Sequence, residues 1–376
     1  MAGLQLALDR YGTKSISELL QPAIQRAGQM KPDQRFSYPA LAKFLSTLAK
    51  RNSVETFYRG DIAQEIADAF QKNGGLVTTK DLAAYHAREV TPYKLDWNGS
   101  TVFTAPLGSG GLTVLEGLSI LKALGWGKIP ASPAASHARL EALRLVWKDR
   151  AELLGDPDFV KVPIERLLSK DYARELAGKI QATVKAQQPL PLKFEAIKQL
   201  GTTSLSCADQ HGNLVAVTLT HGSSYGAQVV VNELGMVLGH GMARFDPRPG
   251  RANSVAPGKR PLHNMCPSLL VRDGKAVLAI GAAGGTKIPN ALFDFFTSYI
   301  ARGQSMPQAL DAPRLNSTGT LTVEVESGWP KAEVDYFKKI GYKVGERLGA
   351  SVSVATFDPA TGEFQGKFRK GNPFPS

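Results

Sequence analysis

The stretch that decides the fold is KQLGTTSLSCADQHGNLVAVTLTHGSSYG, residues 198–226. Two runs in it, 202–208 and 214–220, alternate small polar residues with apolar ones, and this period-two alternation is typical of β-strands. The polar segment 209–213 between the runs carries Asp, Gly and Asn, which are common turn residues. We therefore predict an antiparallel hairpin.

The register of this hairpin determines which side chains share a face. Centring it on His211 gives one small polar face, with Thr202 opposite Thr220, Ser204 opposite Thr218, and Ser206 opposite Ala216. The other face is apolar and consists of Leu205, Cys207, Val215, Val217 and Leu219. Because antiparallel sheets commonly bury one face and solvate the other, we expect the apolar face to pack on a layer of helices.

Thr202 stands at the start of the first strand, directly after Gly201. Cleavage of the Gly201–Thr202 bond would create a free α-amine with a pKa of about 8, which could take the hydroxyl proton and so activate the threonine as a nucleophile. Thr220, directly opposite, is placed to hydrogen-bond the new amine or hydroxyl. The alternative is that the small polar face is an ordinary solvated surface.

A second candidate feature is the glycine-rich turn GAAGGTKIPN, residues 281–290, between a predicted strand and a predicted helix. Glycines ahead of a helix allow main-chain N–H groups to point at an anion. Gly284 and Gly285 are therefore candidates for an oxyanion hole. Two alternatives stay open: a phosphate-binding loop, although the Gly-Lys-Ser/Thr ending of that motif is absent, and a purely structural turn.

Secondary-structure patterning divides the chain near residue 201. Residues 1–185 show mainly helical spacing of apolar side chains, with one strand pair near 91–105. Residues 186–201 contain two prolines and little periodicity, which indicates an exposed linker. Beyond the linker, period-two patterning predicts a sheet-rich half with two further helices. The predicted class is therefore α/β or α+β.

Composition argues against several classes of function. The 376 residues include 45 Lys and Arg against 33 Asp and Glu, a net charge of +12, but the basic residues are scattered, so we expect no nucleic-acid partner. No apolar run is long enough to span a membrane, and the first residues do not read as a signal peptide. Cys207 and Cys266 both lie in apolar runs, so we expect them to be buried and to form neither a disulfide framework nor a zinc site.

The histidines give no indication of a metal site. Four of the six, namely His211, His221, His240 and His263, lie in the sheet-rich half, and none stands at helical metal-ligand spacing with an acidic partner. We therefore expect no metal ion or other cofactor. For His221, His240 and His263, substrate contact and structural hydrogen bonding are equally open.

With these residues in hand, the sequence resembles the γ-glutamyltranspeptidase family of N-terminal nucleophile hydrolases over nearly its whole length. Segments that resemble the family's large subunit are YRGDIAQEIADAFQKNGG, TTKDLAAYHAREVTPY and DRAELLGDPDFVKVP. Segments that resemble its small subunit are TTSLSCADQHGN, PGKRPLHNMCPSLLVRDGK, GAAGGTKIPN and DAPRL. The resemblance implies a four-layer αββα sandwich, made as a precursor that cuts itself before the nucleophile. Residues 1–201 would be large-subunit-like and 202–376 small-subunit-like, together forming one domain.

Carried over position by position, the resemblance implies that Thr202 is the nucleophile and that Thr220 assists its amine. Gly284 and Gly285 would be the oxyanion glycines. The hairpin and the glycine turn lead to the same four positions independently. The resemblance also implies a small-molecule γ-glutamyl or related acyl-amide substrate, with water, an amine or a peptide as acceptor, and a heterodimer of large and small subunits after self-cleavage.

The substrate pocket departs from the family pattern. Gly222, Gly241 and Arg244 occupy the positions of the asparagine, glutamine and aspartate that hold the glutamyl α-amino group in typical members. A cation therefore stands where the family has an anion. His263 and Asn264 replace two serines beside the substrate carboxylate. These changes favour an acylase for a substrate that lacks a free α-amine, such as a glutaryl or cephalosporin amide, and Arg244 would suit a carboxylated acyl group.

The chain also begins well inside the family's large subunit. We therefore expect a leading stretch to be missing, including an arginine that grips the substrate carboxylate. The first functional hypothesis is a hydrolase or transpeptidase that acts through an acyl-Thr202 intermediate. The alternative is a non-catalytic remnant that keeps the fold. Family members are usually exported, which implies a periplasmic or extracellular location.

Overall fold

A computed structural model describes residues 1–31, 38–106, 108–193, 202–223 and 225–371. Its α-helices are α1 (Ala2–Tyr11), α2 (Ile16–Gln29), α3 (Tyr38–Arg51), α4 (Asp61–Lys72), α5 (Thr79–Ala83), α6 (Gly111–Ala123), α7 (Pro133–Leu153), α8 (Ile164–Leu167), α9 (Lys170–Ala186), α10 (Lys287–Phe296), α11 (Met306–Asp311) and α12 (Lys331–Lys339). Its strands are β1 (Tyr93–Trp97), β2 (Ser100–Thr104), β3 (Thr203–Ala208), β4 (Leu214–Leu219), β5 (Val230–Val231), β6 (Met236–Val237), β7 (Ser268–Arg272), β8 (Lys275–Ala283), β9 (Leu315–Asn316), β10 (Thr322–Val325), β11 (Lys343–Glu346), β12 (Ser351–Phe357) and β13 (Phe364–Arg369).

The patterns correctly predicted mainly helices before the linker and mainly strands after it, but the described part of the second half contains three α-helices, not two. The additional helix is α11, whose six residues are too few to show a helical period. The strand pair expected near 91–105 is β1 and β2, and the hairpin expected over 202–220 is β3 and β4. The predicted linker is described only in part: α9 runs to Ala186, and residues 194–201 lie outside the described residues. The division into 1–201 and 202–376 concerns the cleaved chain and stays a prediction.

The chain forms two compact units. The first comprises residues 1–90 and 225–239, that is α1 to α5 together with the small β5–β6 pair. Its main apolar cluster is formed by α3, α4 and the 230–238 segment, and consists of Phe44, Leu48, Ile62, Ile66, Val231, Leu234 and Leu238. The second unit comprises residues 91–224 and 240–376 and contains the candidate site.

The centre of the second unit is a six-stranded sheet with the order β1-β2-β7-β8-β12-β13. Every pairing in it is antiparallel. Strands from the first sequence half, β1 and β2, therefore join strands from the second half. One face of the sheet carries Leu278, Ile280 and Val352, which pack with α6, α7, α9 and α10 in a large apolar core.

The β3–β4 hairpin packs against the opposite face of this sheet. Ser206 Oγ donates to the main-chain oxygen of Ser353 on β12 at 3.0 Å. Ser204 lies against Gly281 of β8, where an added Cβ would stand 2.2 Å from its Oγ. Helices, sheet and hairpin follow one another as α, β and β layers of the predicted αββα sandwich.

The orientation of the hairpin differs from the one expected. The small polar face, not the apolar one, meets the neighbouring layer, because the hydroxyls of Ser204 and Ser206 fit over β8 and β12. Three apolar residues of the other face are exposed, Leu205 by 43%, Val215 by 50% and Leu219 by 55%, and Val217 is half-buried. The expected burial of Cys207 is therefore wrong, because it lies on this exposed face, whereas Cys266 is fully buried as predicted.

Within the described part of the chain, no helix has both the length and the apolar character needed to cross a membrane.

Candidate active site

The turn of the hairpin fixes its register. Asp209 Oδ1 accepts from the main-chain N–H groups of His211 and Asn213, both at 2.9 Å, and Gly212 has a φ of 80° that favours glycine. The strands then pair in the predicted register, with Thr203 opposite Leu219 and Ser204 opposite Thr218.

Continuing that register brings the two candidate threonines together at the open end of the hairpin. Thr202 immediately precedes β3 and Thr220 immediately follows β4. Their hydroxyl oxygens are 3.4 Å apart. Gly201, the other side of the predicted cleavage site, lies outside the described residues.

The hydroxyl oxygen of Thr220 accepts hydrogen bonds from two donors. The main-chain N–H of Gly222 donates to Thr220 Oγ1 at 3.1 Å, and Arg244 Nη2 donates to it at 2.7 Å. Gly222 has a φ of 96°, and an added Cβ would stand 2.7 Å from the main-chain oxygen of His240. Only glycine fits this turn without displacement of the neighbouring chain.

The main chain of Arg244 is fixed by a hydrogen bond, and its side chain is buried. Arg244 ends a short 3₁₀ helix, Gly241–Arg244, and its carbonyl accepts from Asn253 Nδ2 at 2.7 Å. Arg244 is only 9% exposed, and burial lowers the pKa of its guanidinium. Gly241 is exposed, and an added Cβ there would meet no atom within 4 Å. The structure therefore brings Thr202, Thr220 and Arg244 together and leaves open space at Gly241.

His263 and Asn264 lie over a second buried arginine, Arg150 of α7. Arg150 Nη2 donates to the main-chain oxygen of His263 at 2.9 Å and to Asn264 Oδ1 at 3.1 Å, and its Nη1 donates to the carbonyl of Ser109 at 3.0 Å. All these acceptors are neutral, and among the described residues no carboxylate forms an ion pair with Arg150. Burial lowers the pKa of its guanidinium to about 10.

The two arginines give this region a positive electrostatic field. Burial, followed by the charges of Arg150 and Arg244, lowers the pKa of His263 to about 3, so its imidazole is neutral at physiological pH. Two polar atoms here, His263 Nδ1 and Asn264 Nδ2, are buried without a hydrogen-bond partner among the described residues. The unpartnered Nδ2 donor of Asn264, in the field of two guanidinium groups, provides a suitable environment for an anionic ligand group.

Arg150 was not identified from the sequence, although a signal existed. Leu143, Val146, Trp147 and Arg150 follow the i, i+3, i+4, i+7 spacing of one helix face, and the first three are buried. An arginine on a buried stripe needs partners in the interior, which marks it as structural or functional.

The glycine turn joins β8 to α10. Gly284 has a φ of 150° and Gly285 a φ of 62°. An added Cβ at Gly284 would stand 2.9 Å from Ala350, so the close approach of these two chains requires glycine. The carbonyls of Gly284 and Gly285 accept from the N–H groups of Lys287 and Ile288, each at 3.2 Å, which begins the helix. In the described ranges no group of three or more His, Cys, Asp or Glu residues could hold a metal ion.

Comparison with known proteins gives a consistent result. The family model described as gamma-glutamyltranspeptidase matches residues 28–370. The glutathione hydrolase proenzyme of Escherichia coli (strain K12) is 33% identical over an alignment 407 positions long, and the match covers 94% of this chain and 70% of that protein. The acylase ACY 1 proenzyme of Pseudomonas sp. (strain SE83) is 29% identical, with 94% of this chain and 70% of that protein covered.

A solved structure shows the same fold. The crystal structure of cephalosporin acylase from Bacillus halodurans superimposes with a TM-score of 0.76 at 26% identity, and the match covers 97% of this chain and 69% of that one. This agreement confirms the predicted N-terminal nucleophile hydrolase fold. The chain spans between 63% and 71% of the length of four bacterial glutathione hydrolases that it matches.

Proposed function

The chain belongs to the gamma-glutamyltranspeptidase family, and from that premise we propose that it hydrolyses or transfers the acyl group of γ-glutamyl or related acyl amides through an acyl-Thr202 intermediate. The single observation that carries this proposal is the 3.4 Å approach of the Thr202 and Thr220 hydroxyls at the end of the hairpin. A hydroxyl nucleophile at the start of a strand, with a second hydroxyl to orient it, fits activation by a free α-amine.

Self-cleavage creates that amine. Thr202 Oγ1 attacks the carbonyl carbon of Gly201, the peptide C–N bond breaks, and the nitrogen of Thr202 keeps the hydroxyl proton as an amine. Water then hydrolyses the resulting ester and releases the Gly201 carboxylate. The products are a large-subunit-like chain ending at 201 and a small-subunit-like chain beginning at 202, which stay together as a heterodimer.

Turnover repeats the same chemistry on the substrate. The Thr202 amine takes the hydroxyl proton while Oγ1 attacks the acyl carbon, and the N–H groups of Gly284 and Gly285 stabilise the oxyanion. The proton passes to the leaving nitrogen as the amide bond breaks, which leaves an ester on Thr202. Water, an amine or a peptide then accepts the acyl group.

The charges of the site favour an acyl donor with a free carboxylate and no α-ammonium group. The buried guanidinium of Arg244 binds Thr220, the residue next to the candidate nucleophile, and the charge of Arg150 adds to that of Arg244 at His263. A cation there attracts a carboxylate and repels an ammonium group. Glutaryl-type amides fit this charge pattern better than γ-glutamyl ones, in line with the acylases among the relatives. A periplasmic or extracellular location is proposed from the family resemblance alone.

The mass of the purified protein under denaturing conditions tests the proposal. We expect two chains that meet at 201/202 and whose masses sum to 40.4 kDa plus one water. Thr202→Ala should leave one intact, inactive chain, and Thr202→Ser should cleave more slowly. Thr203→Ala, a change at the adjacent exposed hydroxyl, is the matched control and should cleave normally. A single intact, inactive wild-type chain would favour the non-catalytic remnant.

A further inference from the structure

Arg244 competes with the candidate nucleophile for one oxygen atom. Thr220 Oγ1 is approached by Arg244 Nη2 at 2.7 Å, by the N–H of Gly222 at 3.1 Å and by Thr202 Oγ1 at 3.4 Å. A hydroxyl oxygen has two lone pairs, so it accepts two good hydrogen bonds. The contact with Thr202 is the longest of the three and lies outside the usual O–H···O range.

The guanidinium is poorly matched to this neutral acceptor. It is buried, and its five N–H donors form a planar fork that fits a carboxylate bidentately. Hydrogen bonds to an ionised acceptor are roughly twice as strong as neutral ones. A carboxylate that enters beside Arg244 therefore offers it a better partner than Thr220.

The anchoring of Arg244 permits such an exchange. Asn253 binds the main-chain oxygen of Arg244 through Nδ2 and accepts from the N–H of Leu262, beside His263, through Oδ1 at 3.0 Å. The main chain is thus fixed relative to the His263 segment, so a change of partner by the side chain would need only rotation of its own torsions. The open space at Gly241 adjoins the same short helix.

This inference rests on the proposed function. We propose that Arg244 is a positioning residue whose hydrogen bond to Thr220 is broken when substrate binds, because the carboxylate of the acyl donor takes the place of Thr220 as partner of the guanidinium. Thr220 then accepts a hydrogen bond from the amine or hydroxyl of Thr202. The carboxylate of a glutaryl-type donor would in this way increase the rate of acylation as well as the affinity. The substrate class is an amide of a short dicarboxylic acid, recognised by its distal carboxylate.

The test separates rate from affinity. Two p-nitroanilides are compared, glutaryl and its neutral carboxamide isostere, under conditions in which acylation limits the rate. We expect the wild-type kcat to be at least about tenfold higher for the carboxylate, and the two kcat values to become similar in Arg244→Gln. Arg248→Gln is the matched control in the same loop, where the side chain pairs with Asp246, and it should keep the wild-type ratio.

A second measurement supplies the carboxylate separately. Propionate should stimulate turnover of acetyl-p-nitroanilide by the wild type and by Arg248→Gln, but not by Arg244→Gln. If Arg244→Gln fails to fold or to self-cleave, the test uses the response of the wild type to propionate together with the variant Arg244→Lys. This variant keeps the positive charge but lacks the planar pair of N–H donors.

The possible outcomes distinguish failure of this inference from failure of the proposed function. Equal wild-type kcat values that differ only in KM would show that Arg244 binds substrate without positioning Thr220, and would overturn this inference alone. Stimulation by propionate that persists in Arg244→Gln would do the same. Absence of self-cleavage and of turnover with every anilide would overturn the proposed function, and this inference with it.

Discussion

Gly281 of β8 lies directly against Ser204 of β3, so closely that a Cβ at position 281 would stand 2.2 Å from Ser204 Oγ and 3.2 Å from Thr218 Oγ1. This close contact fixes the hairpin against the six-stranded sheet at Ser204, two residues after Thr202. The absence of a side chain at position 281 therefore helps to set the position of the candidate nucleophile.

Gly281→Ala should destabilise the fold by about 1–3 kcal/mol, because the added methyl overpacks the layer contact. Ser204→Ala in the same chain should recover most of the loss, since it removes the atom that the methyl meets first. Thermal denaturation of the two single variants and the double variant measures the coupling. Gly366→Ala, at a strand position with no atom within 4 Å, is the control. Additive effects of the two changes would contradict the packing described here.

The same contact shows what the sequence does and does not determine about the hairpin. Its register could be predicted, because the Asp209–Asn213 turn fixes the pairing locally. Which face meets the sheet could not, because alternation shows which side chains share a face but not what that face contacts. The informative residue was Gly281, which is far away in the chain and has no side chain to mark its role.

The candidate site was predicted in part for a similar reason. Thr202 and Thr220 follow from one local pairing, and the glycine turn from its own composition. The hydrogen bond from Arg244 to Thr220 joins residues 24 positions apart in the sequence, and Arg244 lies in a 3₁₀ helix that has no periodic sequence pattern. The hydrogen bond from Arg150 to the main-chain oxygen of His263 joins residues 113 positions apart. Contacts of this kind depend on tertiary packing, which hydrophobic patterns do not encode.

Thr220→Val should reduce kcat by on the order of 100-fold while the chain stays folded. Valine keeps the shape of threonine but leaves Arg244 Nη2 and the N–H of Gly222 without their common acceptor. Thr220→Ser should retain most activity. Thr218→Val removes a hydroxyl of the same strand that contacts Ser204, and it serves as the control. Steady-state kinetics with circular dichroism on each variant provide the measurement, and an active Thr220→Val enzyme would exclude a role for this hydroxyl.

Gly284→Ala should abolish turnover through the backbone. The φ of 150° is strained for alanine, and its Cβ would collide with Ala350, so the turn must shift and carry its N–H groups away. Loss of an oxyanion donor costs about 100- to 1000-fold in kcat. Gly345→Ala on β11, where an added Cβ meets nothing, should leave kcat unchanged. An active, well-folded Gly284→Ala enzyme would remove this turn from the candidate machinery.

Glu116→Gln should stabilise the protein at alkaline pH. Burial, together with the nearby Asp149 carboxylate, raises the pKa of Glu116 well above its usual value. Tyr172 Oη donates to Asp149 Oδ2 at 2.5 Å, so this carboxylate has a hydrogen-bond partner of its own in the interior. Because the folded pKa is raised, the contribution of Glu116 to stability is fully present below its unfolded pKa and is lost as pH rises.

We therefore expect the melting temperature of Glu116→Gln to exceed that of the wild type by on the order of a few degrees at pH 8 and to equal it near pH 4. Glu346→Gln, at an exposed position on β11, should show no such dependence. A constant difference between Glu116→Gln and the wild type across this range would mean that Glu116 does not bind a proton on folding.

The charge at Arg244 should decide between acyl donors that differ only in an α-ammonium group. Glutaryl-p-nitroanilide should be turned over with a kcat/KM at least about tenfold higher than that of γ-glutamyl-p-nitroanilide, because a buried guanidinium repels the ammonium group of the latter; tenfold corresponds to ~1.4 kcal/mol. Arg244→Asp reverses the charge and should shift the preference toward the γ-glutamyl compound, whereas Arg244→Gln should bring the two substrates close together. Such a graded series cannot arise from a general loss of stability, because that would lower both rates alike. Faster wild-type turnover of the γ-glutamyl compound would show that its ammonium group binds away from Arg244. It would also show that an arginine at position 244, in place of the family's aspartate, leaves the choice of substrate unaltered.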